Sequence, residues 1–214
     1  MSTPFLTRLR FAVFIYEGVE PIDLATIGVL SMARRVAPQI EILTVAPAAG
    51  PVLLANGLSV LAQYGIADCP PAEVLLVTGG PGWEAQARNP ATLEFLRRCG
   101  TGRIVASVCT GGMILAAAGL LDGYRATTKR EVIGAEVQPL KLMKERHPAI
   151  RVQEARLVDE GNLVTGGGVT LCIDTTLHLL ERLLGKQVAA ETARILEYTT
   201  AREANRRALP DVVA

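Results

Sequence analysis

The sequence has almost no excess of charge of either sign. It contains 22 Lys and Arg against 21 Asp and Glu in 214 residues, which gives a formal net charge of +1. No overall electrostatic field therefore favours binding to nucleic acid or to an acidic membrane. Half of the residues are apolar, so residues 1–214 are predicted to form one domain that buries most of its own surface. The expected partners are small molecules or a second copy of the chain.

Residues that bind metals are scarce. The sequence has four cysteines and two histidines, and no two cysteines form a C-x-x-C pair. A zinc site and a disulfide framework are therefore not expected, and no cofactor is predicted. Cysteines in such a protein are usually buried as small apolar side chains, which is the expectation for Cys69, Cys99 and Cys172.

Long apolar runs and a signal peptide are also missing. The segment Met1 to Arg10 is polar and basic, and it leads only into a short apolar stretch, Phe11–Tyr16. No window reaches the roughly 18 uninterrupted apolar residues needed to cross a bilayer, since Met113–Leu121 stops at Asp122. We therefore expect a cytoplasmic protein without a membrane anchor.

Short apolar runs alternate with amphipathic stretches along the chain. The predicted strands are Phe11–Tyr16, Ile40–Val45, Val74–Val77 and Ile104–Val108. Runs of this length are typical of parallel strands that helices cover on both faces. Helical spacing occurs in Leu24–Val36, Pro90–Cys99, Gly112–Ala118 and Arg130–His147. The order of these elements predicts a wound α/β fold with a mostly parallel central sheet.

Turn signals and further helical patterns complete the prediction. A turn at Ala55–Leu58 is predicted to join two short strands. The segments Arg151–Leu157 and Asn162–Thr165 are predicted as strands that flank a hairpin or sharp turn at Asp159–Gly161. A long buried helix is expected over Thr170–Leu184, and a final helix over Val188–Thr199 before a basic polar tail.

Glycine-rich segments follow three strands, at the edge of a parallel sheet where ligands bind. They are Thr78–Gly82, Ser107–Gly112 and Thr165–Gly168, and all three are expected to face one cleft.

Cys109 lies in the second segment, between a buried strand and a helix of small residues. The N–H groups and the positive end of such a helix favour a thiolate. Cys109 is therefore the candidate nucleophile, with an expected pKa below the ~8.5 of a free cysteine.

Several motifs of the sequence resemble one known family. They are Ala67–Pro71, Val108–Gly111, Leu115–Gly123, Arg125–Thr128, Gly161–Gly168 and Leu196–Tyr198. By these motifs the chain is similar to the ThiJ/PfpI superfamily, which is class I glutamine amidotransferase-like, and especially to isocyanide hydratases and the amidotransferase-like domains of AraC-type regulators. The resemblance implies a flavodoxin-like three-layer α/β sandwich with helices on both faces of the sheet, and a homodimer.

The resemblance also implies a carboxylate in the loop after the first strand, and the matching residue here is Asp23. A carboxylic acid beside a thiolate can donate a hydrogen bond or move a proton during addition and hydrolysis. The alternative is that Asp23 is a helix N-cap, which accepts hydrogen bonds from free N–H groups. Glu17 and Glu20 are weaker candidates for the same role.

Gly79 and Gly80 end a strand on the side where Cys109 is expected. Glycine lets backbone N–H groups approach a ligand closely, and the resemblance implies that this loop supplies part of an oxyanion pocket. Gly79, Gly80 and the amide and hydroxyl of Thr110 are therefore the candidate substrate-binding groups. The alternative is a tight turn that offers no catalytic donor.

One position departs from the pattern of the resembled family. Isocyanide hydratases and many related regulators continue Ala-Thr-Thr with His-Trp, whereas here Thr128 is followed by Lys129 and Arg130. His147, at a predicted helix end, and His178, inside an apolar helix, are expected to be structural. A cysteine–histidine mechanism is therefore not predicted. Lys129 is either a cation beside the thiolate or a solvated lysine at a helix start.

The leading functional prediction is an enzyme that adds water to a small electrophilic carbon. Its most concrete form is an isocyanide hydratase-like conversion of an isocyanide (isonitrile) to an N-substituted formamide. Two alternatives stay open: glyoxalase- or deglycase-like action on reactive carbonyls, and a non-enzymatic protein in which Cys109 senses oxidants or holds a ligand. DNA binding is not expected, because the basic C-terminal residues suit a solvated helix face and the chain stops at Ala214 without length for a helix-turn-helix module.

Overall fold

A central sheet and the helices around it make up the part of the chain that the computed structural model describes, residues 8–214. The strands are β1 (Leu9–Phe14), β2 (Ile40–Ala46), β3 (Gly50–Leu53), β4 (Ser59–Ala62), β5 (Tyr64–Gly65), β6 (Val74–Val77), β7 (Ile104–Ser107), β8 (Arg125–Ala126), β9 (Arg151–Val152), β10 (Leu157–Asp159), β11 (Leu163–Gly166) and β12 (Asp211–Val213). The helices are α1 (Ala25–Ala33), α2 (Trp83–Ala87), α3 (Pro90–Cys99), α4 (Gly111–Ala117), α5 (Pro139–Arg146), α6 (Leu171–Leu184), α7 (Lys186–Ile195) and α8 (Thr199–Ala208).

Eight strands form the central sheet, in the order β12-β10-β11-β7-β6-β1-β2-β5. Neighbouring strands run parallel except β10 and β11, which are antiparallel. β3 and β4 form a separate antiparallel hairpin, as the predicted turn at Ala55–Leu58 requires. The predicted α/β fold with a mostly parallel central sheet is confirmed.

The two central strands, β6 and β7, consist of residues that are all buried. Both were predicted as strands covered on both faces, because their apolar runs lack alternating polar residues. Helices cover the sheet on both faces: α1, α6 and α7 pack together as one group, and α2, α3 and α4 as another. The carboxyl ends of β6 and β7 lie side by side, since Val77 pairs with Ser107, and their glycine-rich loops are therefore neighbours.

The helix predicted over Arg130–His147 is wrong over most of its length. Residues 129–138 form no helix, and α5 covers only Pro139–Arg146. Gly134 adopts a φ of +60°, which a helix does not accommodate. Pro139 lacks a backbone N–H and favours the first turn of a helix, so it starts α5. The irregular segment before α5 forms one wall of the cleft described below.

The C-terminal part of the prediction also needs correction. The strand expected over Arg151–Leu157 is divided between β9 and β10, and the final helix ends at Ile195 instead of Thr199. The basic tail is not simply a polar extension: it forms α8 and then β12, which pairs with β10. The reason is tertiary, because Arg156 binds Asp211 and holds the tail against the sheet.

Other boundaries differ less. Leu24–Val36 was predicted as one helix, and the structure has a short 3-10 helix over Pro21–Leu24 followed by α1. The predicted helix end at Leu184 is confirmed, since Gly185 adopts a positive φ of 92° after α6. Within residues 8–214, no helix is both long and apolar enough to cross a membrane. The prediction that no signal peptide is present concerns Met1 to Arg10, and residues 1–7 lie outside the described residues.

Candidate active site

Cys109 occupies a sharp corner between β7 and α4. Its φ of +51° is in the left-handed region, which residues other than glycine rarely adopt. The Cys109 N–H donates to the Gly167 carbonyl at 3.0 Å, and the Thr128 hydroxyl donates to the Cys109 carbonyl at 2.7 Å. Two neighbouring segments therefore hold this strained conformation. The predicted strand-to-helix corner is confirmed, while the role of Cys109 as nucleophile stays a prediction.

Glycines let the other loops approach this corner closely. A Cβ on Gly79 would lie 2.5 Å from the Thr110 nitrogen and 2.8 Å from the Cys109 Cβ. A Cβ on Gly168 would lie 2.9 Å from the Cys109 Sγ. Real Cβ atoms are not found so close to other atoms, so neither position accepts a side chain without rearrangement. The three glycine-rich segments therefore meet around Cys109, as their positions after β6, β7 and β11 predicted.

Asp23 is fully buried in the 3-10 helix after β1. Its Oδ2 accepts a hydrogen bond of 2.7 Å from the Gly79 N–H, and neither this short helix nor α1 has a side-chain cap. The N-cap interpretation of Asp23 is therefore not supported. Among residues 8–214 its Oδ1 has no hydrogen-bond partner. Burial raises the pKa of Asp23 from 3.8 to about 7, although the Gly79 N–H and the neighbouring Cys109 oppose this shift.

The Cys109 thiol is 2% exposed. Burial is the main reason that its pKa lies well above the ordinary value, and the nearby charge of Asp23 raises that pKa further. The Thr110 N–H and the charge of Lys129 lower it, but they do not compensate. The expected pKa below that of a free cysteine is therefore wrong, because the loss of hydration on burial raises the pKa more than the Thr110 N–H and the charge of Lys129 lower it.

Two of the other three cysteines are buried as Cys109 is. Cys99 and Cys172 are buried, and Cys69 is half-buried. Burial raises the pKa of Cys69 to about 11 and that of Cys172 to about 12. The expectation that Cys99 and Cys172 are buried apolar side chains is confirmed.

The candidate oxyanion donors have protein acceptors in this structure. The Gly79 N–H donates to Asp23, and the Gly80 N–H donates to the Thr110 hydroxyl at 2.8 Å. Gly79 therefore orients the acid, and Gly80 orients the Thr110 side chain. The Thr110 N–H lies against Cys109, where it lowers the thiol pKa. This amide is the candidate donor that faces the reacting sulfur.

Lys129 lies beside Cys109 on the wall of the cleft. A Cβ on Gly168 would be 3.1 Å from the Lys129 Cβ and 2.9 Å from the Cys109 Sγ, so Lys129 and Cys109 are close neighbours. Its charge lowers the pKa values of both Cys109 and Asp23. Of the two predictions for this lysine, the cation near the sulfur is the one that the geometry supports.

The two histidines lie apart from Cys109. The His178 Nε2 is 2.6 Å from the Asp159 Oδ2, so this histidine pairs with the carboxylate of the last residue of β10. His147 follows the last residue of α5 and lines a separate cavity that does not include Cys109. Within the described residues, no three His, Cys, Asp or Glu side chains lie close enough to hold a metal ion.

Sequence reasoning missed Tyr16, which lies beside the candidate acid and nucleophile. It is fully buried, and its hydroxyl donates to the Thr78 carbonyl at 3.1 Å. Burial and the charges of Asp23 and Cys109 raise its pKa well above the ordinary value. The available signal was a tyrosine at the end of the apolar run Phe11–Tyr16, because the carboxyl ends of the parallel strands meet at this edge of the sheet.

A cleft of about 530 Å³ opens at Cys109. Its polar lining near the sulfur includes Glu20, Gly80, Thr110 and Lys129. The remaining wall is mainly apolar and comes from the segments around α2 and α5: Trp83, Val132, Val137, Pro139 and Leu142. Cavities of this size and composition bind small organic molecules.

Comparisons with known proteins agree with this architecture. A model of the DJ-1/PfpI family matches residues 9–182. The isonitrile hydratase of Pseudomonas putida is 38% identical over 194 residues, which cover 90% of this chain and 80% of the hydratase. The crystal structure of a ThiJ/PfpI family protein from Pseudomonas syringae has a TM-score of 0.79 at 29% identity and covers 92% of this chain and 77% of that one.

Transcriptional regulators also match. The HTH-type transcriptional regulator CdhR of Pseudomonas aeruginosa is 33% identical over 146 residues, which are 67% of this chain but only 41% of the regulator. The chain thus spans less than half of that relative. Because the family model covers most of the sequence and the hydratase is similar over 90% of it, the chain belongs to the DJ-1/PfpI family.

Proposed function

We propose that this protein is a cytoplasmic, cysteine-dependent hydratase that converts an organic isonitrile to an N-substituted formamide. Cys109 is the nucleophile, and Asp23 moves the protons. The similarity to the isonitrile hydratase of Pseudomonas putida supports this choice within a family that also contains regulators. The observation that carries it is that Cys109, at the inner end of a cleft with a largely apolar outer wall, has the buried carboxyl group of Asp23 as its neighbour.

The free oxygen of Asp23 suits it to proton transfer. Gly79 holds Oδ2, whereas Oδ1 has no hydrogen-bond partner among residues 8–214. A pKa of about 7 lets the carboxyl group both release and accept a proton near neutral pH. Asp23 can therefore serve as the base that takes the Cys109 proton and as the acid that returns it.

The reaction consumes one water and needs no oxidant or reductant. The Cys109 sulfur bonds to the terminal carbon of the isonitrile, and Asp23 transfers the thiol proton to that carbon, which gives a thioimidate. Water then adds to the same carbon, and one of its protons passes through Asp23 to the nitrogen. The carbon–sulfur bond breaks with its electron pair on sulfur, the remaining proton of the added water returns to sulfur through Asp23, and the formamide leaves.

Two further groups stabilise the charges that develop in these steps. The Thr110 N–H lies against the sulfur and stabilises negative charge there, and the charge of Lys129 acts in the same direction. Both effects are stronger at a buried sulfur than in water, because the local dielectric constant is lower.

The size of the cleft favours a substrate with a sizeable apolar group. About 530 Å³ lined in part by Trp83, Val137 and Leu142 is far more space than a small dicarbonyl fills. This observation supports an organic isonitrile over a small glyoxal, and no specific feature of the cleft favours the sensor alternative.

The test is conversion of an aryl or alkyl isonitrile by the purified protein, followed by detection of the formamide. We expect turnover by the wild type, none by Cys109→Ala, and a loss of about 10²–10⁴-fold in Asp23→Asn. Cys69→Ala, which alters a half-buried thiol away from the cleft, should retain activity. Absence of formamide from the wild type would overturn the proposal, and consumption of methylglyoxal in a parallel assay would favour the carbonyl-directed alternative.

The partner of this enzyme is proposed to be a second copy of the chain. The β3–β4 hairpin exposes three leucines, with Leu53 48%, Leu58 61% and Leu61 72% exposed. An apolar surface of this kind is stabilised when it is covered, and the family resemblance predicts a homodimer. Light scattering should give twice the mass of one chain, and Leu61→Lys should shift the protein towards the monomer. A wild type of single-chain mass would remove this part of the proposal.

A further inference from the structure

A second cavity of about 200 Å³ adjoins the cleft at Cys109. The two share three lining residues, Trp83, Glu84 and Arg146, and the two cavities together are called the groove below. Met113 and Ala117 of α4 line its outer part. The groove thus leads from the buried sulfur, over the indole of Trp83, to the carboxyl end of α5.

One face of α5 lines the groove along its length. Pro139, Leu142 and Arg146 all line it, and their spacing of three and four residues places them on the same side of the helix. The inner end of this face is close to the reacting group, since the Leu140 N–H donates to the Lys129 carbonyl at 3.0 Å. With 1.5 Å of rise per residue, Pro139 and Arg146 are about 10 Å apart along the helix.

The outer end of the groove carries unpaired positive charge. Arg88 and Arg146 both face it, together with the carboxylate of Glu84. Glu84 is already bound to Arg88 at 2.8 Å, whereas no carboxylate within residues 8–214 lies within 4.0 Å of the Arg146 guanidinium. The carboxylates of Glu20 and Glu136 line the inner part of the groove instead. An anion at the outer end would therefore meet Arg146 without displacing an ion pair.

We propose that the groove binds an amphiphilic substrate whose reactive carbon lies at Cys109, whose apolar body covers Trp83, and whose carboxylate lies at Arg146, at the outer end of the α5 face. The substrate class is an isonitrile attached to a medium-length apolar chain that ends in a carboxylate. Only the reacting end of this substrate rests on the proposed function; the apolar body and the anion site rest on the groove itself.

Binding of octanoate and of its uncharged analogue octanamide to the wild-type protein tests the proposal. Trp83 is the only tryptophan of the chain, so its fluorescence reports directly on the middle of the groove, and calorimetry gives an independent Kd. We expect octanoate to bind about threefold to fivefold more tightly than octanamide, as for one partly exposed ion pair, and this preference should shrink in high salt.

The preference should disappear in Arg146→Gln and persist in Arg207→Gln, which removes an exposed arginine of α8 outside the groove. Equal binding of the two ligands by the wild type, no binding of either, or a preference that survives Arg146→Gln would overturn the proposal. None of these measurements requires the Cys109 thiol to react. A protein that prefers octanoate but converts no isonitrile would therefore contradict the proposed function alone.

Discussion

The Cys109 thiol and the Asp23 carboxyl group are two buried acids, and their negative charges repel each other when both are ionised. After burial, the charge of Asp23 is the largest cause of the raised thiol pKa. Asp23→Asn removes this charge and keeps the shape of the side chain, so the pKa of Cys109 should fall. The ultraviolet absorbance of the thiolate across a pH titration measures this change, with Cys109→Ala as the background.

Glu17→Gln is the matched control for that titration, because Glu17 is exposed on the same loop. It should leave the thiol pKa close to the wild-type value. A pKa of Cys109 that stays the same or rises in Asp23→Asn would show that hydrogen bonding by a protonated Asp23, and not its charge, dominates the interaction.

Lys129 offers a second test at the scale of one residue. Its charge lowers the pKa of Cys109, so Lys129→Met should raise that pKa and slow alkylation of Cys109 by iodoacetamide, whereas Lys129→Arg should keep most of the wild-type rate. Lys144→Met changes an exposed lysine of α5 and controls for the net charge of the protein. Equal alkylation rates in Lys129→Met and the wild type would exclude a role for this cation.

The sequence predicts the residues of this site better than their contacts. Cys109 was identifiable because its strand, corner and helix are consecutive in the chain. The hydrogen bond from Gly79 to Asp23 joins residues 56 positions apart, and no local pattern encodes it. The thiol pKa was predicted in the wrong direction for the same reason, since burial depends on loops from three separate parts of the chain.

At the scale of elements, apolar runs predicted the central strands correctly, whereas the spacing of residues in polar segments did not predict the helices correctly. β6 and β7 are buried on both faces, so hydrophobicity alone identifies them. Residues 129–138 contain helix-forming side chains, but the predicted helix ran through Gly134 and Pro139, which interrupt helices. α8 was missed because its residues are mostly polar and because the side-chain bonds that Arg202 and Asn205 form with α6 are not visible in a local pattern.

A buried ion cluster holds these C-terminal elements together. The Arg156 side chain is fully buried between Asp174, at 2.5 Å, and Asp211, at 2.6 Å. Tyr198 and Asn205 also donate to the Asp174 carboxylate, each at 2.8 Å. Arg156→Met would leave Asp174 buried without its cation, so we expect it to lower the free energy of unfolding by about 3–5 kcal/mol.

Urea denaturation measures this loss, and Glu191→Gln is the control. Glu191 pairs with Arg194 on the exposed face of α7, where ion pairs contribute little. The control should therefore unfold with the wild-type midpoint. An Arg156→Met variant as stable as the wild type would mean that an apolar side chain replaces the cluster without loss.

At the scale of the whole molecule, Asp23 makes stability depend on pH. Its pKa rises from 3.8 to about 7 on folding, so the folded state binds the proton more tightly than the unfolded state. The corresponding stability is complete below about pH 4 and is lost as the pH rises through about 7. Between about pH 5 and about pH 8, we expect this group to reduce the free energy of unfolding by about 2–3 kcal/mol.

Asp23→Asn should remove that part of the pH dependence, and urea denaturation at the two pH values measures it. The stability gained through this substitution should be larger at the higher pH. Glu17→Gln should retain the wild-type difference between the two pH values. A gain that is equal at both pH values would show that Asp23 does not ionise over this range.

The order of strands in the sheet has a consequence for aggregation. Both edge strands are short, with two residues in β5 and three in β12, so each of them presents little backbone on which another chain could add a strand. The most apolar strands, β6 and β7, lie at the centre, where their backbone groups are already paired. Once the protein is unfolded, these same segments combine high β-propensity with no charge and become sites for amyloid-like stacking. Heating should therefore lead to irreversible precipitation even though the native state remains dispersed.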